Sequence, residues 1–254
     1  MVILNAVDAA NYLKQSDSYL NNLNLFNLHL HNTSSLHDYV QLISASTLDF
    51  TTSEIGDLNQ IIKSLKLKFT KLKVPFPENI SFIKTTGMDC FGLPYTRRNA
   101  IILPETIFQY KGNDDLCKLS EGLIAHEIFH ILSRNNKKLT SIYKLWGFKK
   151  SNIDPPYNMV QNPDAPDHNY GIELSDGIAT PFIVKNNTIE HCIFINNTFQ
   201  KISKEYIKKT KTPSIYCCHP EEISAEAFRL LITGKKFKER KSFYSLLQKS
   251  LANK

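Results

Sequence analysis

The chain has 254 residues, of which 42% are hydrophobic and 11% aromatic, a composition that supports a folded core and excludes a disordered chain. The formal net charge is +7, but the lysines are dispersed and no arginine-rich stripe with interleaved aromatics occurs, so we expect a solvated basic surface rather than a nucleic-acid partner. With no signal peptide and no apolar run of about 18 residues, we expect no membrane span, and a location in the cytoplasm or export without a cleavable signal peptide.

Helices dominate the N-terminal part of the chain. Residues 6–45 have helical periodicity with polar interruptions. Apolar residues at three- and four-residue steps predict a helix over 53–72, with Ser53 as its cap. Alternation predicts a strand over 80–84. The short apolar run at 99–103, which a proline ends, predicts a strand at a sheet edge.

A longer segment with an apolar face follows. It predicts a helix over about 114–134, with Asn113 and Asp114 as caps and two asparagines as terminators. A second helical stretch near 138–147 leads into a loop at 151–168 that is rich in Pro, Asn and Asp. Long loops in compact domains are often functional, so this loop is of interest for the site.

Strands and helices both occur in the rest of the chain. The predicted elements are strands over 170–174, 179–184 and 188–196, and helices over 199–209, from Pro220 to a terminating Gly234, and over 241–252. Pro220 suits the first helical position, and Glu221 and Glu222 complement the positive end of that helix.

The segment His126-Glu127-Ile128-Phe129-His130 lies within the helix predicted over 114–134. Residues i and i+4 share a helix face, so His126 and His130 can present their imidazoles to one metal ion, and neutral imidazole is a good zinc ligand. Glu127 lies about 100° round the helix from His126. There it can act as a general base toward a water molecule without binding the metal itself.

The alternative interpretation of this motif is two surface histidines that flank a helical glutamate. The neighbouring residues argue against it, because they are apolar on both sides of the motif: Leu123, Ile124, Ala125, Ile128, Phe129, Ile131 and Leu132. Burying two imidazoles and a carboxylate without partners is costly, and a metal ion supplies the partner. The sequence therefore favours a zinc site.

The motif resembles that of the zincin superfamily of metallopeptidases, specifically over about 120–132 and more loosely over 53–119. The resemblance implies an α+β, zincin-like fold in a single metallopeptidase domain over 1–254. Its N-terminal lobe (about 1–135) would hold a helical region, a small mixed sheet with an edge strand, and the active-site helix. Its C-terminal lobe (about 136–254) would hold β segments and a ligand helix. A catalytic site of this kind holds one zinc ion on three protein ligands and keeps a position open for water.

The third ligand has to come from a later element. The residues after His130 lack the Gly and third His that met-zincins place there. The stretch from His219 to Glu226 resembles the ligand helix of gluzincins such as thermolysin, in which the ligand Glu is followed three residues later by Ala and then by an acid. Glu222, Ala225 and Glu226 match that arrangement, with Glu226 in place of the commoner Asp, so the resemblance implies Glu222 as the ligand.

Two alternatives for the third ligand stay open, namely Glu226 and His219. If Glu222 is the ligand, Glu226 lies one turn further on and could hydrogen-bond a ligand histidine from behind. Glu221 is expected to point off this face into solvent. The separation between the motif and Glu222 is longer than in many gluzincins.

Zincins often recruit a Tyr or His from the C-terminal lobe to stabilise the oxyanion. Tyr157, His168 and Tyr170 flank the long loop and are candidates, although for any single one of them a structural aromatic or a solvated histidine is the favoured interpretation. The strand predicted at 99–103 would bind an extended peptide by strand addition. Arg97 and Arg98 beside it either favour an acidic substrate or are simply exposed.

The five cysteines show no regular spacing, which favours free thiols in a reducing compartment. Cys217 and Cys218 precede the helix that begins at Pro220. A thiolate there could coordinate zinc in a latent form. The simpler interpretation is that these cysteines, like Cys117, are small buried hydrophobes.

The leading hypothesis is a monomeric, gluzincin-type zinc metallopeptidase that hydrolyses peptide bonds of a protein or peptide substrate. One alternative is a zincin-like protein that has retained the metal and lost turnover, although the presence of Glu127 argues against it. The other is a basic protein that binds nucleic acid or an anionic surface, with the motif incidental. That last hypothesis predicts binding to DNA that weakens steeply with salt.

Overall fold

The computed structural model of the chain describes residues 1–112, 114, 116–151, 153–154, 156–165, 169–185, 189–211 and 219–252. The fold is α+β. The α-helices are α1 (Ala6–Leu13), α2 (Ser18–Asn22), α3 (Leu25–Leu30), α4 (Leu36–Ala45), α5 (Thr52–Lys71), α6 (Thr106–Gln109), α7 (Glu121–Asn135), α8 (Lys204–Thr210), α9 (Pro220–Ile232) and α10 (Arg240–Ala252). The strands are β1 (Val2–Ile3), β2 (Thr47–Leu48), β3 (Ser81–Thr85), β4 (Tyr95–Arg97), β5 (Ala100–Pro104), β6 (Phe148–Lys150), β7 (Tyr170–Leu174), β8 (Gly177–Lys185), β9 (Ile189–Ile195) and β10 (Thr198–Lys201). Short 3₁₀ helices lie at Cys90–Gly92 and Lys137–Trp146.

The first sheet is mixed and has the order β1-β3-β5-β4, with β2 paired to β3. β3 is parallel to β1 and β5, whereas β4 is antiparallel to β5. The prediction of an edge strand at 99–103 is wrong, because β5 is fully buried between β3 and β4. Its proline is the last residue of the strand, where the missing N–H is tolerated, so this residue marked the end of the strand and not the edge of the sheet. On this side of the sheet the edge strand is β4.

The second sheet is an antiparallel meander with the order β10-β9-β8-β7-β6. The three strands predicted in this region are present as β7, β8 and β9. The helix predicted over 199–209 begins only at Lys204, because residues 198–201 pair with β9 as β10. The ring of Phe199 lies 5.1 Å from that of Phe194 on β9, so aromatic packing holds this segment in the sheet.

Side-chain caps define the starts of α5 and α7. α5 begins one residue earlier than predicted, at a capping box in which Thr51 and Glu54 each bond the other's backbone N–H. α7 begins later than predicted, because Ser120 and not Asn113 or Asp114 is its cap; the Ser120 hydroxyl accepts the Leu123 N–H at 3.0 Å. None of the helices in the described ranges combines the length and the apolar character needed to cross a membrane.

α7 lies in the largest core cluster, which draws residues from both halves of the chain. Phe129 of α7 packs against Phe228 of α9 at a ring distance of 5.5 Å, and Phe228 also meets Phe69 of α5 at 5.4 Å. The Trp146 indole donates to Ser224 of α9 at 2.9 Å. This packing fixes α9 against α7, so side chains from the two helices meet at one place. The division into lobes near residue 135 stays a prediction.

Candidate metal centre

α7 carries the three motif side chains into the interior of the protein. His126, Glu127 and His130 are 8%, 4% and 1% exposed. The two imidazole rings lie 4.9 Å apart on one face of the helix, as the four-residue spacing predicts.

α9 places Glu222 opposite this pair of histidines. Its Oε2 lies 3.2 Å from His126 Nε2 and 3.6 Å from His130 Nε2. Four ligands arranged tetrahedrally at bonds of about 2.0–2.1 Å from zinc would lie about 3.3–3.4 Å apart. The measured separations bracket that value, and one donor atom from each of the three residues lies within 4.8 Å of the others. The donor set His126, His130 and Glu222 therefore fits a zinc ion.

Glu221 holds the far side of His130, and the expectation that it points into solvent is wrong, since it is 4% exposed. Its Oε1 lies 3.0 Å from His130 Nδ1. The same carboxylate accepts hydrogen bonds from the hydroxyls of Ser133 and Tyr143. A carboxylate at Nδ1 favours the proton on that nitrogen and leaves the Nε2 lone pair available to a metal.

Glu226 does not take the position expected of it behind a ligand histidine. Its two carboxylate oxygens accept from Nε and Nη2 of Arg229, both at 2.6 Å, because the arginine lies three residues further along the same helix. Glu221 occupies that position instead. The other alternative ligand, His219, is the N-cap of α9, and its Nδ1 accepts the Glu221 N–H at 3.2 Å.

Two residues of the long loop complete the surroundings, and sequence reasoning named neither. Asn162 Nδ2 donates to Glu222 Oε1 at 2.9 Å and so orients the Glu222 carboxylate. Asp164 offers a carboxylate oxygen within 4.8 Å of donor atoms of Glu127 and His130. The sequence drew attention to the loop by its length and composition, but a loop has no periodicity from which the side chains that face the site can be predicted.

The charges around His130 act on one another. Burial lowers the pKa of His130, but the carboxylates of Asp164, Glu222 and Glu221 outweigh burial and raise its pKa to about 10. Burial acts to raise the pKa of Glu222, and the charges of His130 and His126 reverse this and hold the pKa below its usual value. Burial, followed by the charge of Asp164, raises the pKa of Glu127 well above its usual value. Several carboxylates therefore surround two imidazoles, an arrangement that suits a bound cation.

Two buried polar atoms at the centre have no hydrogen-bond partner among the described residues: Glu127 Oε2 and His126 Nδ1. Leaving buried polar atoms unpaired is costly, so such atoms usually mark a place for water, an ion or a ligand. The unpaired Glu127 oxygen fits a site that takes up a metal ion together with a water molecule.

The predicted oxyanion stabilisers are in different situations. Tyr157 is 62% exposed and lies beside Phe26, with a ring distance of 6.2 Å. Tyr170 is buried, with its ring 4.8 Å from that of Tyr143 and 6.5 Å from that of His219. His168 lies outside the described residues.

A small cavity opens beside Glu222. Its lining is mostly apolar and consists of Val160, Asn162, Ala165, Pro181, Phe182, Ile183, His191, His219 and Glu222. Sequence reasoning missed His191, whose pKa is lowered by burial against a smaller opposing effect of Glu222. Two histidines, His191 and His219, therefore line the same cavity as the Glu222 carboxylate.

The remaining residues singled out in the sequence are two arginines and three cysteines. Arg97 is not exposed, because it is 2% accessible and its Nε donates to Asp17 at 2.7 Å, whereas Arg98 is exposed. Cys117 is exposed, so its interpretation as a small buried hydrophobe is wrong. Cys217 and Cys218 lie outside the described residues.

Comparison with known proteins gave no match: no family model, no curated protein sequence and no solved structure is detectably similar to this chain. The function therefore has to be argued from the geometry of the site.

Proposed function

We propose that this protein is a zinc-dependent metallopeptidase. In this proposal His126, His130 and Glu222 bind one zinc ion, and Glu127 is the general base. One observation carries the proposal: Glu222 Oε2 lies 3.2 and 3.6 Å from the Nε2 atoms of the two histidines. The contact between Glu221 and His130 Nδ1 supports the proposal, because a metal-binding imidazole usually donates its other ring N–H to a carboxylate or a carbonyl.

Zinc bound by three side chains would polarise a water molecule and the scissile carbonyl. The Glu127 carboxylate, with Oε2 unpaired, would accept a proton as the water oxygen attacks the carbonyl carbon. Glu127 would then return that proton to the amide nitrogen as the C–N bond breaks, which yields a carboxylic acid and an amine. Asn162 would hold the ligand carboxylate in place through its 2.9 Å hydrogen bond to Glu222.

The fold supports a zincin-like protein of the gluzincin type. The motif helix α7 packs against a mixed sheet that ends in the edge strand β4, and the glutamate ligand comes from a later helix, α9. A peptide is the proposed substrate, because an edge strand next to a catalytic centre can pair with an extended backbone. That role moves from residues 99–103 to β4.

Metal content tests the ligand set. We expect one zinc ion per wild-type chain and loss of stoichiometric zinc in Glu222→Ala. Zinc should be retained in Glu226→Gln, because in the wild type the Glu226 carboxylate binds Arg229. Elemental analysis of dialysed protein measures this. Wild-type protein that neither retains zinc nor takes it up from solution would refute the proposal.

Hydrolysis tests the base. Wild type should cleave members of a fluorogenic peptide library, and a chelator should stop it. Glu127→Gln should keep zinc and lose activity by about 10²–10⁴-fold, the usual contribution of a general base. If wild type and Asp164→Ala, which removes the acceptor at the Thr96 N–H, both bind zinc but cleave nothing, the protein is a metal-binding protein without turnover. If Glu127→Gln cleaves as well as wild type, the assigned base is wrong.

A further inference from the structure

The outward edge of β4 is already occupied. In an antiparallel pair, alternate residues direct their N–H and C=O away from the neighbouring strand. In β4 that residue is Thr96, because its N–H donates to Asp164 Oδ1 at 2.8 Å rather than to β5. Its carbonyl faces Nη2 of Arg134 at 3.5 Å. Thr96 is consequently fully buried, although it belongs to the edge strand of its sheet.

The carboxylate that covers Thr96 also reaches the candidate metal centre. Asp164 Oδ1 accepts a second hydrogen bond from the Thr96 hydroxyl at 2.5 Å. An oxygen of the same carboxylate lies within 4.8 Å of donor atoms of Glu127 and His130. A peptide that added to β4 and ran past Glu127 would have to pass through the space that Asp164 occupies.

Contacts at both ends hold the segment 162–164, here called the strap, across the site. Asn162 donates to Glu222 at 2.9 Å on the α9 side. On the β4 side, Nη2 of Arg134 lies 3.3 Å from the Pro163 carbonyl and 3.9 Å from Asp164. The strap therefore spans the gap between the ligand helix and the edge strand.

Just before the strap, the chain is tied to α3. The side-chain oxygen of Asn27 accepts the Gln161 N–H at 2.7 Å, and its nitrogen donates to the Met159 carbonyl at 3.1 Å. The Val160 N–H also donates to the Ile183 carbonyl of β8 at 2.8 Å. These contacts fix the base of the strap independently of the metal centre and of Thr96.

We propose that the strap is an autoinhibitory element, and that Asp164 takes the place of a backbone carbonyl of the substrate at the Thr96 N–H. An extended peptide and the strap then exclude each other, and the site opens when Asp164 leaves Thr96. The inference rests on the proposed function only for the nature of the occupant, a peptide. The competition for Thr96 follows from the contacts themselves.

The test compares Asp164→Ala with Asp164→Asn, both built on a Glu127→Gln background so that bound peptide is not cleaved. Alanine removes the acceptor. Asparagine is the matched control, because its side-chain oxygen can still accept the Thr96 N–H while the charge is lost. Asp164→Ser, which is too short to reach Thr96, serves as a second variant in case the alanine protein does not fold.

The first readout is hydrogen exchange of the Thr96 amide. We expect protection with Asp164 present and in the asparagine control, and exchange at least about tenfold faster in the alanine or serine variant. The second readout is the fluorescence anisotropy of a fluorescein-labelled random octapeptide mixture. If only a fraction of the molecules is open, the apparent Kd equals the Kd of the open state divided by that fraction. Removal of the contact between Asp164 and Thr96 should therefore lower the apparent Kd by about tenfold or more. Bound peptide should protect Thr96 again.

The inference is overturned if Thr96 stays protected without Asp164, or if peptide binding is unchanged or weaker in the alanine and serine variants. It is also overturned if Asp164→Asn behaves like Asp164→Ala, since the charge would then be responsible rather than the contact with Thr96. Zinc content separates this result from a failure of the proposed function. If the wild-type protein holds no zinc but Asp164→Ala still binds peptide more tightly, the proposed metallopeptidase activity is refuted. The proposed autoinhibitory role of the strap is then still supported.

Discussion

Replacement of Glu221 is expected to weaken zinc binding although this residue is not one of the proposed ligands. Its carboxylate accepts from His130 Nδ1 at 3.0 Å and from the hydroxyls of Ser133 and Tyr143. In Glu221→Gln the amide oxygen can still accept from His130 and Ser133, but these two charge-assisted hydrogen bonds become neutral ones, which are about half as strong. The NH2 group that takes the place of Oε2 cannot accept from Tyr143. In Glu221→Ala the Nδ1 proton is left buried without a partner.

Loss of a partner behind a metal-binding histidine typically costs about 10–100-fold in metal affinity. We therefore expect the zinc Kd to rise by about tenfold in Glu221→Gln, or about 1.4 kcal/mol, and toward about 100-fold in Glu221→Ala. Competition against a chromophoric chelator measures both values. Circular dichroism and thermal unfolding should show that the variants remain folded.

Glu121→Gln is the matched control for this experiment. It removes a carboxylate from the first turn of α7, where Glu121 is paired with Lys68 and is 29% exposed in its side chain. Its zinc Kd should stay within about twofold of wild type, because the Glu121 carboxylate is paired with Lys68 and not with one of the proposed zinc ligands. If both Glu221 variants also stay within twofold, or if Glu121→Gln weakens zinc as much as they do, then Glu221 does not orient His130.

Two further predictions concern pH and packing. The pKa of His130 is raised from 6.5 to about 10 in the metal-free protein, so its contribution to stability is fully present below pH 6.5 and is lost as pH rises through 10. The melting temperature of chelator-treated protein should therefore fall between pH 6.5 and 10. Over the same range zinc affinity should rise by about tenfold per pH unit, since zinc must displace the proton of His130. A pH dependence that is the same in His130→Ala would contradict this. Phe228→Ala should lower the free energy of unfolding by about 3–5 kcal/mol in urea titrations, because Phe228 is fully buried between aromatic rings of α5 and α7. Leu67→Ala, on a side chain that is 62% exposed, should change it by less than about 0.5 kcal/mol, and a loss below 1 kcal/mol for Phe228→Ala would show that the site repacks.

The part of the site that is local in sequence could be predicted from the sequence. Helical periodicity alone places His126 and His130 on one face, and the apolar residues around them predict burial. The choice of Glu222 needed a resemblance to other ligand helices. The structure brings Glu222 to both histidines, at 3.2 and 3.6 Å.

The role of Glu221 could not be predicted from its place on the helix. Neighbouring residues lie about 100° apart round a helix, so Glu221 was expected to face away from a site that Glu222 faces. An imidazole has nitrogens on two sides, however, and the two carboxylates bracket His130, with Glu221 at Nδ1 and Glu222 toward Nε2. Two adjacent acids facing a buried histidine are a signal that could have suggested this arrangement.

The edge strand and the strap were beyond sequence reasoning for different reasons. β4 has only three residues, too few for alternation to register, and it is joined to β5 by a tight turn at Arg98, whose φ is 52°. Asp164 lies in irregular chain, where neither period 2 nor period 3.6 predicts which side chains face inward. Its contact with Thr96 joins residues 68 apart in sequence.

The hydrogen bonds and ion pairs of the metal centre are almost all long-range, and this has a consequence for how the protein is made. His126 and Glu222 are 96 residues apart, and His130 and Glu221 are 91 apart. Contacts of this kind form late in folding, because a large loop must close before they are gained. During synthesis the three donors cannot converge until α9 has emerged from the ribosome and docked on α7. Of the proposed donor set, a nascent chain therefore presents only the pair of histidines on α7, and the complete set requires the folded protein.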